Sequence, residues 1–248
     1  MFDQQGYVPD SAPGRLYSAT GYFVSPPAAI GTRVLTWEPV DPVAETRSRW
    51  VFLPATQNTR RLPSYGYDTN EPLTGGMRTA DQNDGWNGAP DRYDWKLIGK
   101  RELLIGYNAY KLADRKLTYK AIIQPHHLDP DLLRYELHRV WVVEATLRDG
   151  RHHPFARRVF YVDEDTWQVA QEEVYDKQGR LIRFGDHQMI QYSDVQVPWY
   201  AATIHHILGN GAYLVTYLNN METFPTRWGF EGELPDSLPS NLRSLGLQ

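Results

Sequence analysis

Eight histidines and thirty carboxylates are the side chains of this 248-residue chain best suited to chemistry. The histidines fall as three adjacent pairs, His126-His127, His152-His153 and His205-His206, plus His138 and His187. Neighbouring strand residues point to opposite faces, so His205 and His206 cannot grip one ion, and no His-Glu-x-x-His helix occurs. The histidines therefore read as structural or surface groups, and no metal is assigned. Asp81-Gln82-Asn83-Asp84-Gly85-Trp86-Asn87-Gly88 looks like a calcium loop, but its glycine comes one position early and no Glu closes it, so turn chemistry explains it better. Asp163-Glu164-Asp165 reads as a solvated hairpin tip. A glycoside hydrolase needs two carboxylates facing across a cleft, which spacing alone does not show; that chemistry stands as the enzyme alternative. The chain lacks a Gly-x-Ser-x-Gly elbow, a P-loop and a dinucleotide fingerprint. It has no cysteine, which removes thiol nucleophiles, thiolate zinc sites and iron–sulfur clusters. No cofactor is implied.

The elements that must position these groups are strands. Aromatic residues make up 13% of the chain, with 8 Trp and 16 Tyr, a composition that suits pleated surfaces and aromatic-walled cavities. Residues 1–31 read as an irregular arm. Arg33–Val40 and Arg47–Leu53 form a hairpin, and residues 54–94 are so punctuated by Pro and Gly that they read as a long functional loop, a covering flap or a packed irregular segment. Trp95–Ile105 is a strand candidate. Asp129 with Pro130 caps a single helical turn. Tyr135–Arg148 is the clearest strand, with Leu137, Trp141, Val143 and Leu147 on one apolar face. Five more strands follow at hairpin spacing, over 157–162, 167–175, 180–192, 199–208 and 212–219, which makes an antiparallel meander. The expected domain runs over 32–220, with 221–248 as an extension. The fold class is mainly β: a curved antiparallel sheet or incomplete barrel with few short helices and long irregular loops.

Arg139 sits in the apolar stripe of Tyr135–Arg148. A cation there needs a carboxylate partner or an anionic ligand head group, which makes it the best single pointer to a ligand site. The expected ligand wall is Leu137, Trp141, Val143 and Leu147, with Trp50 and Phe52 from the earlier hairpin and Arg139 as head-group contact. The net charge of −4, from 26 basic and 30 acidic residues, lacks the basic excess of a nucleic-acid binder. The N-terminus carries no signal-peptide pattern, and no apolar run reaches membrane-helix length.

Three long strings, Asn87–Lys100, Pro130–Glu144 and Arg158–Trp167, closely resemble a proteobacterial family of unknown function described as outer-membrane lipoprotein-sorting-like. The resemblance covers about residues 47–220. It implies a LolA/LolB-like fold, an open barrel with an apolar concavity. It also implies a periplasmic protein that carries a lipid or other hydrophobic, acylated ligand between membranes, alongside an exporter of the resistance–nodulation–division class and an outer-membrane protein. Family members are longer, with an added N-terminal portion and a leader. The chain then reads as a fragment whose exposed edge strand pairs with a second copy. A third reading is an interaction module for an outer-membrane partner, which predicts a filled barrel.

Overall fold

The computed structural model describes residues 14–62, 66–71, 74–223, 226–229 and 237–244. The chain divides into two compact units, Met1–Gly66 together with Arg227–Gln248, and Tyr67–Thr226. The expected single domain over 32–220 is therefore corrected: the boundary falls inside the Pro- and Gly-rich stretch.

The first unit is a four-stranded antiparallel sheet in the order β1-β2-β3-β4, with β1 Arg15–Tyr22, β2 Arg33–Pro39, β3 Ser48–Leu53 and β4 Asn58–Leu62. The expected hairpin is present as β2 and β3, with Leu35 opposite Trp50. Two further strands correct the sequence reading. β1 lies within the supposed irregular arm, and β4 within the supposed loop. Both are edge strands with mostly exposed side chains, so neither shows an apolar alternation. The core is Leu35, Phe52 and Leu242, with Trp37 and Trp50 packed against it. Arg47 forms a buried ion pair with Glu38.

The second unit is built on a seven-stranded antiparallel sheet. Its strands are β5 Tyr93–Gly106, β8 Tyr135–Leu147, β9 Arg157–Asp163, β10 Val169–Tyr175, β11 Leu181–Tyr192, β12 Val197–Ile207 and β13 Ala212–Thr216, in the order β13-β12-β11-β10-β9-β8-β5. The expected meander is thus present. Between β5 and β8 the chain makes helix α1 (Tyr119–Ile122), the small hairpin of β6 (Ile123–Gln124) and β7 (His127–Leu128), and a 3-10 turn over Pro130–Leu132 with Asp129 accepting from the Asp131 N–H.

The sheet curls without closing. Although two strands separate β5 from β10 in the sheet order and three separate it from β11, the Gln171 amide of β10 reaches across to the Leu104 carbonyl of β5 at 3.1 Å, and just past β5 the Ala109 N–H donates to the Met189 carbonyl of β11 at 2.9 Å. At Gly106 a Cβ would lie 2.5 Å from the His187 carbonyl, so only glycine allows that approach. Ile105, Val140, Val142, Val159 and Ala170 share one buried cluster on the inner side of the curl.

Candidate functional site

On the outer face of the sheet, the described residues among 67–92 lie over β9 and β10, and buried charge fastens them. The Arg158 guanidinium, fully buried, donates to Asp81 and Glu172 at 2.6 Å each. Gln82 donates to Glu172 at 2.9 Å, and His153 lies 3.2 Å from Asp81. Arg183 donates to the carbonyls of Met77 and Gly76. Burial alone pushes the Asp81 carboxyl up, but Arg158, His153 and the Thr79 hydroxyl outweigh it and hold it at about 2. Trp86 packs edge-on against Trp95 and Phe160, with Arg158 over its ring at 4.7 Å. Every charge in this cluster has a partner inside the fold, so it reads as a clasp.

Two pockets open at opposite strand ends of the sheet. The first, of about 360 Å³, lies between the ends of β11, β12 and β13 and the β6–β7 hairpin. Leu181, Phe184, Ile207, Leu208 and Ala212 line it, with His126 and His206 as its ionisable groups. Phe184 and His206 are cross-strand partners and share the inner face of the sheet by alternation with Asp186, the partner of Gln171. The hairpin is held in place by Tyr213, whose hydroxyl donates to the Gln124 and His127 carbonyls, and by a 2.8 Å contact of His126 Nδ1 with the Gly211 carbonyl. Partial burial lowers the His206 pKa, which favours the neutral ring.

The second pocket, of about 420 Å³, is lined by Glu102, Leu137, His138, Arg139, Glu164 and Asp165. It forms where β8 runs beyond the end of β9 and meets the β9–β10 hairpin tip. Glu164 is held from both sides, by the Lys100 ammonium and by Arg139 at 2.5 Å. Those donors lower its pKa, the Lys100 hydrogen bond most. His138 Nδ1 lies 3.0 Å from Asp163, while the Tyr107 ring packs against the imidazole at 4.1 Å, tilted by 36°. Burial, then the carboxylates of Asp163, Asp165 and Glu136, push the Tyr107 phenol up to about 12.

The sequence matches, over residues 3–243, the family described as proteins of unknown function, DUF1329. The chain belongs to the DUF1329 family. An uncharacterized protein of Pseudomonas aeruginosa is 40% identical over 242 residues, 98% of this chain and 53% of that protein, so the chain spans about half the length of this curated relative. A DUF1329 protein from Desulfovibrio piger has a similar fold, with a TM-score of 0.52 at 18% identity, covering 80% of this chain and 67% of the other. A putative outer membrane lipoprotein-sorting protein domain from Vibrio parahaemolyticus is similar at a TM-score of 0.54 and 13% identity, covering 91% and 77%. The DUF1329 chain thus has the mainly β fold with a curved, unclosed antiparallel sheet that its sequence suggested. No helix among the described residues is long and apolar enough to cross a membrane.

Within this DUF1329 chain the expected ligand wall is split. Trp50 and Phe52 belong to the first unit, packed against Leu35 and Leu242. Leu137, Arg139, Trp141, Val143 and Leu147 do share one face of β8, but it is the outer one. Val143 and Leu147 pack beneath the flap with Tyr93 and Phe160. Trp141 carries the Lys100 ammonium 4.4 Å above its ring. Leu137 is 65% exposed, next to its equally exposed cross-strand partner Leu104. Arg139 is no buried cation, because its exposed side chain reaches Glu164. The hairpin tip is also corrected: Asp163 is fully buried and accepts from the Thr166 N–H and hydroxyl, and only Asp165 faces solvent. The residues the sequence missed are Phe184, Ile207 and Leu208, which stand at strand ends where no period marks a face.

Proposed function

We propose that this DUF1329 protein binds a lipid or other acylated ligand in the periplasm, holding the hydrocarbon in the pocket between β11–β13 and the β6–β7 hairpin. The observation that carries this is the lining of that pocket. Five apolar side chains and two histidines line an open pocket of about 360 Å³ at the strand ends of a curled sheet. Support for the class of ligand comes from the likeness to a lipoprotein-sorting domain. Such binding needs no catalytic group. Each methylene taken from water contributes about 0.8 kcal/mol, so roughly eight would contribute on the order of 6 kcal/mol, equivalent to a Kd of tens of micromolar before ordering costs. A role beside a resistance–nodulation–division exporter and an outer-membrane protein extends this proposal and rests on the family resemblance alone.

A fluorescent fatty acid titrated into the purified chain tests it. Saturable binding is expected, weakened at least about tenfold by Leu208→Glu or Ile207→Glu, whose side chains are only partly buried and which therefore disturb the fold little. Binding that ignores both substitutions, or no binding at all, removes the proposal. A second reading has its own observation: the inner face around Val140 and Val142 is filled by the protein's own side chains, while Leu97, Leu104 and Leu137 stand exposed on the outer face. That pattern suits a protein partner on the outer face. The hydrolase alternative has less support, because Asp81 and Glu172 are tied to Arg158, and Glu164 to Lys100 and Arg139.

A further inference from the structure

The second pocket holds an arrangement that lipid binding does not explain. His138 on β8 and Asp163 and Asp165 at the end of β9 each offer one ligand atom, and the three atoms lie within 4.8 Å of one another. His138 Nδ1 is 3.0 Å from Asp163 Oδ1 and 3.9 Å from Asp165 Oδ2. A histidine–aspartate hydrogen bond accounts for the first distance. It does not account for the second, since Asp165 has a side chain 71% exposed and could turn to water. Its carboxylate oxygen nevertheless lies near both the imidazole and a second carboxylate, an arrangement that a cation bound among the three would stabilise.

The surroundings resemble the outer shell of a metal site. The free oxygen of Asp163 is fixed by the Thr166 N–H at 3.0 Å and hydroxyl at 2.7 Å. The other ring nitrogen of His138 faces Glu136 at 3.9 Å, and Tyr107 packs against the ring at 4.1 Å. Such partners orient a ligating imidazole or carboxylate and fix its tautomer. The 420 Å³ pocket, which counts His138 and Asp165 in its lining, leaves room for water or a further ligand on the open side. Glu102 and Glu164 add negative charge to that side, offset by Arg139 and Lys100.

We propose that His138, Asp163 and Asp165 bind one first-row divalent cation of the zinc class at the mouth of this pocket. One nitrogen and two carboxylate oxygens suit zinc or manganese better than calcium, which takes six to eight oxygens. The site is independent of the apolar pocket at the other strand ends, so either proposal can fail alone.

The test is calorimetric titration of Zn²⁺ into the chelator-stripped full chain, with Co²⁺ absorption and histidine side-chain NMR as second readouts. One equivalent is expected, with one imidazole Nδ1 signal moving on binding. Asp165→Asn and His138→Asn should each weaken binding at least about tenfold. Asp165→Asn changes an exposed side chain, so its unfolding midpoint should match that of the parent chain. Zn²⁺ affinity unchanged from the parent chain in both variants would assign binding to other histidines and overturn the site. No uptake at about 100 µM, or preference for Ca²⁺ over Zn²⁺, would overturn it too.

Discussion

At the scale of single residues, the second unit places two neutral histidines where no sequence pattern announced them. His187 and His205 are fully buried on adjacent strands, with ring centroids 5.3 Å apart. Burial drives the His187 pKa down to about 4 and carries that of His205 well below its usual range, helped by His187 and the nearby Arg78, Arg183 and Arg158. Both are therefore uncharged at neutral pH. The folded form refuses protons that the unfolded chain accepts below about 6.5, so stability is complete above that pH and is lost as pH falls towards 4. The depressed His187 pKa corresponds to about 3 kcal/mol by the bottom of that window. Glu172 and Asp186, both raised by burial, act in the opposite direction, so the net slope is smaller than the two histidines would give alone. Urea unfolding from pH 7.5 to 4 should show falling stability, and His187→Gln or His205→Gln should flatten the curve. Parallel curves for parent and variants would show that these rings do not govern the acid response. Asp81 acts in a separate window. Its stabilisation is complete above about 3.8 and disappears as pH falls through about 2.

Elements divide into those that sequence rules reach and those they miss. Strands β8 to β13 were legible because turn residues at hairpin spacing leave antiparallel pairing as the only option, and the Asp129-Pro130 turn because its cap chemistry is local. Which face of β8 is inner was not legible. The odd positions Leu137, Trp141, Val143 and Leu147 look like the core stripe, yet Val140 and Val142 are the residues in the inner cluster. The reason is that β8 carries apolar residues on both faces through its middle, since the flap covers the outer face only near Val143 and Leu147. Period alone cannot say which side has more cover, and where cover ends, at Leu137, an apolar residue stays in water. Likewise, no spacing relates His138 to Asp163 and Asp165, since strand pairing brings them together across about 25 residues. The face assignment makes a direct prediction. Val142→Ala should destabilise the second unit by about 2 kcal/mol through lost burial and a cavity, whereas Leu137→Ala should change stability by less than about 0.5 kcal/mol. Equal losses in thermal or denaturant unfolding would return Leu137 to the core.

At the scale of the whole molecule, the chain leaves its first unit at Gly66, builds the second, and returns to the first from Arg227. A Pro-, Ser- and Leu-rich tail reads from sequence as an extension, because it has no period. In the fold it completes a core. Leu242, fully buried, packs with Leu35 and Phe52, and the Ser237 carbonyl accepts from the Trp37 indole at 2.8 Å, while Trp37 lies 4.4 Å from Trp50. Three buried apolar side chains are a small core for a four-stranded sheet, so losing one of them is a large fraction of what holds it. The second unit has its own buried clusters around Leu112 and Ile204, Val140 and Val142, and Tyr93 and Phe160, none of which includes a tail residue. Leu242→Ala should therefore destabilise the first unit by about 2–5 kcal/mol and leave the unfolding of the second unchanged. Backbone amide NMR separates the two, since Leu35, Trp37, Trp50 and Phe52 report on one unit and Val140, Val142 and Ala202 on the other. Loss of dispersion confined to the first set is the expected result. Simultaneous collapse of both sets would mean that the units fold as one cooperative body, and that the returning tail stabilises the seven-stranded sheet as well as the sheet it completes.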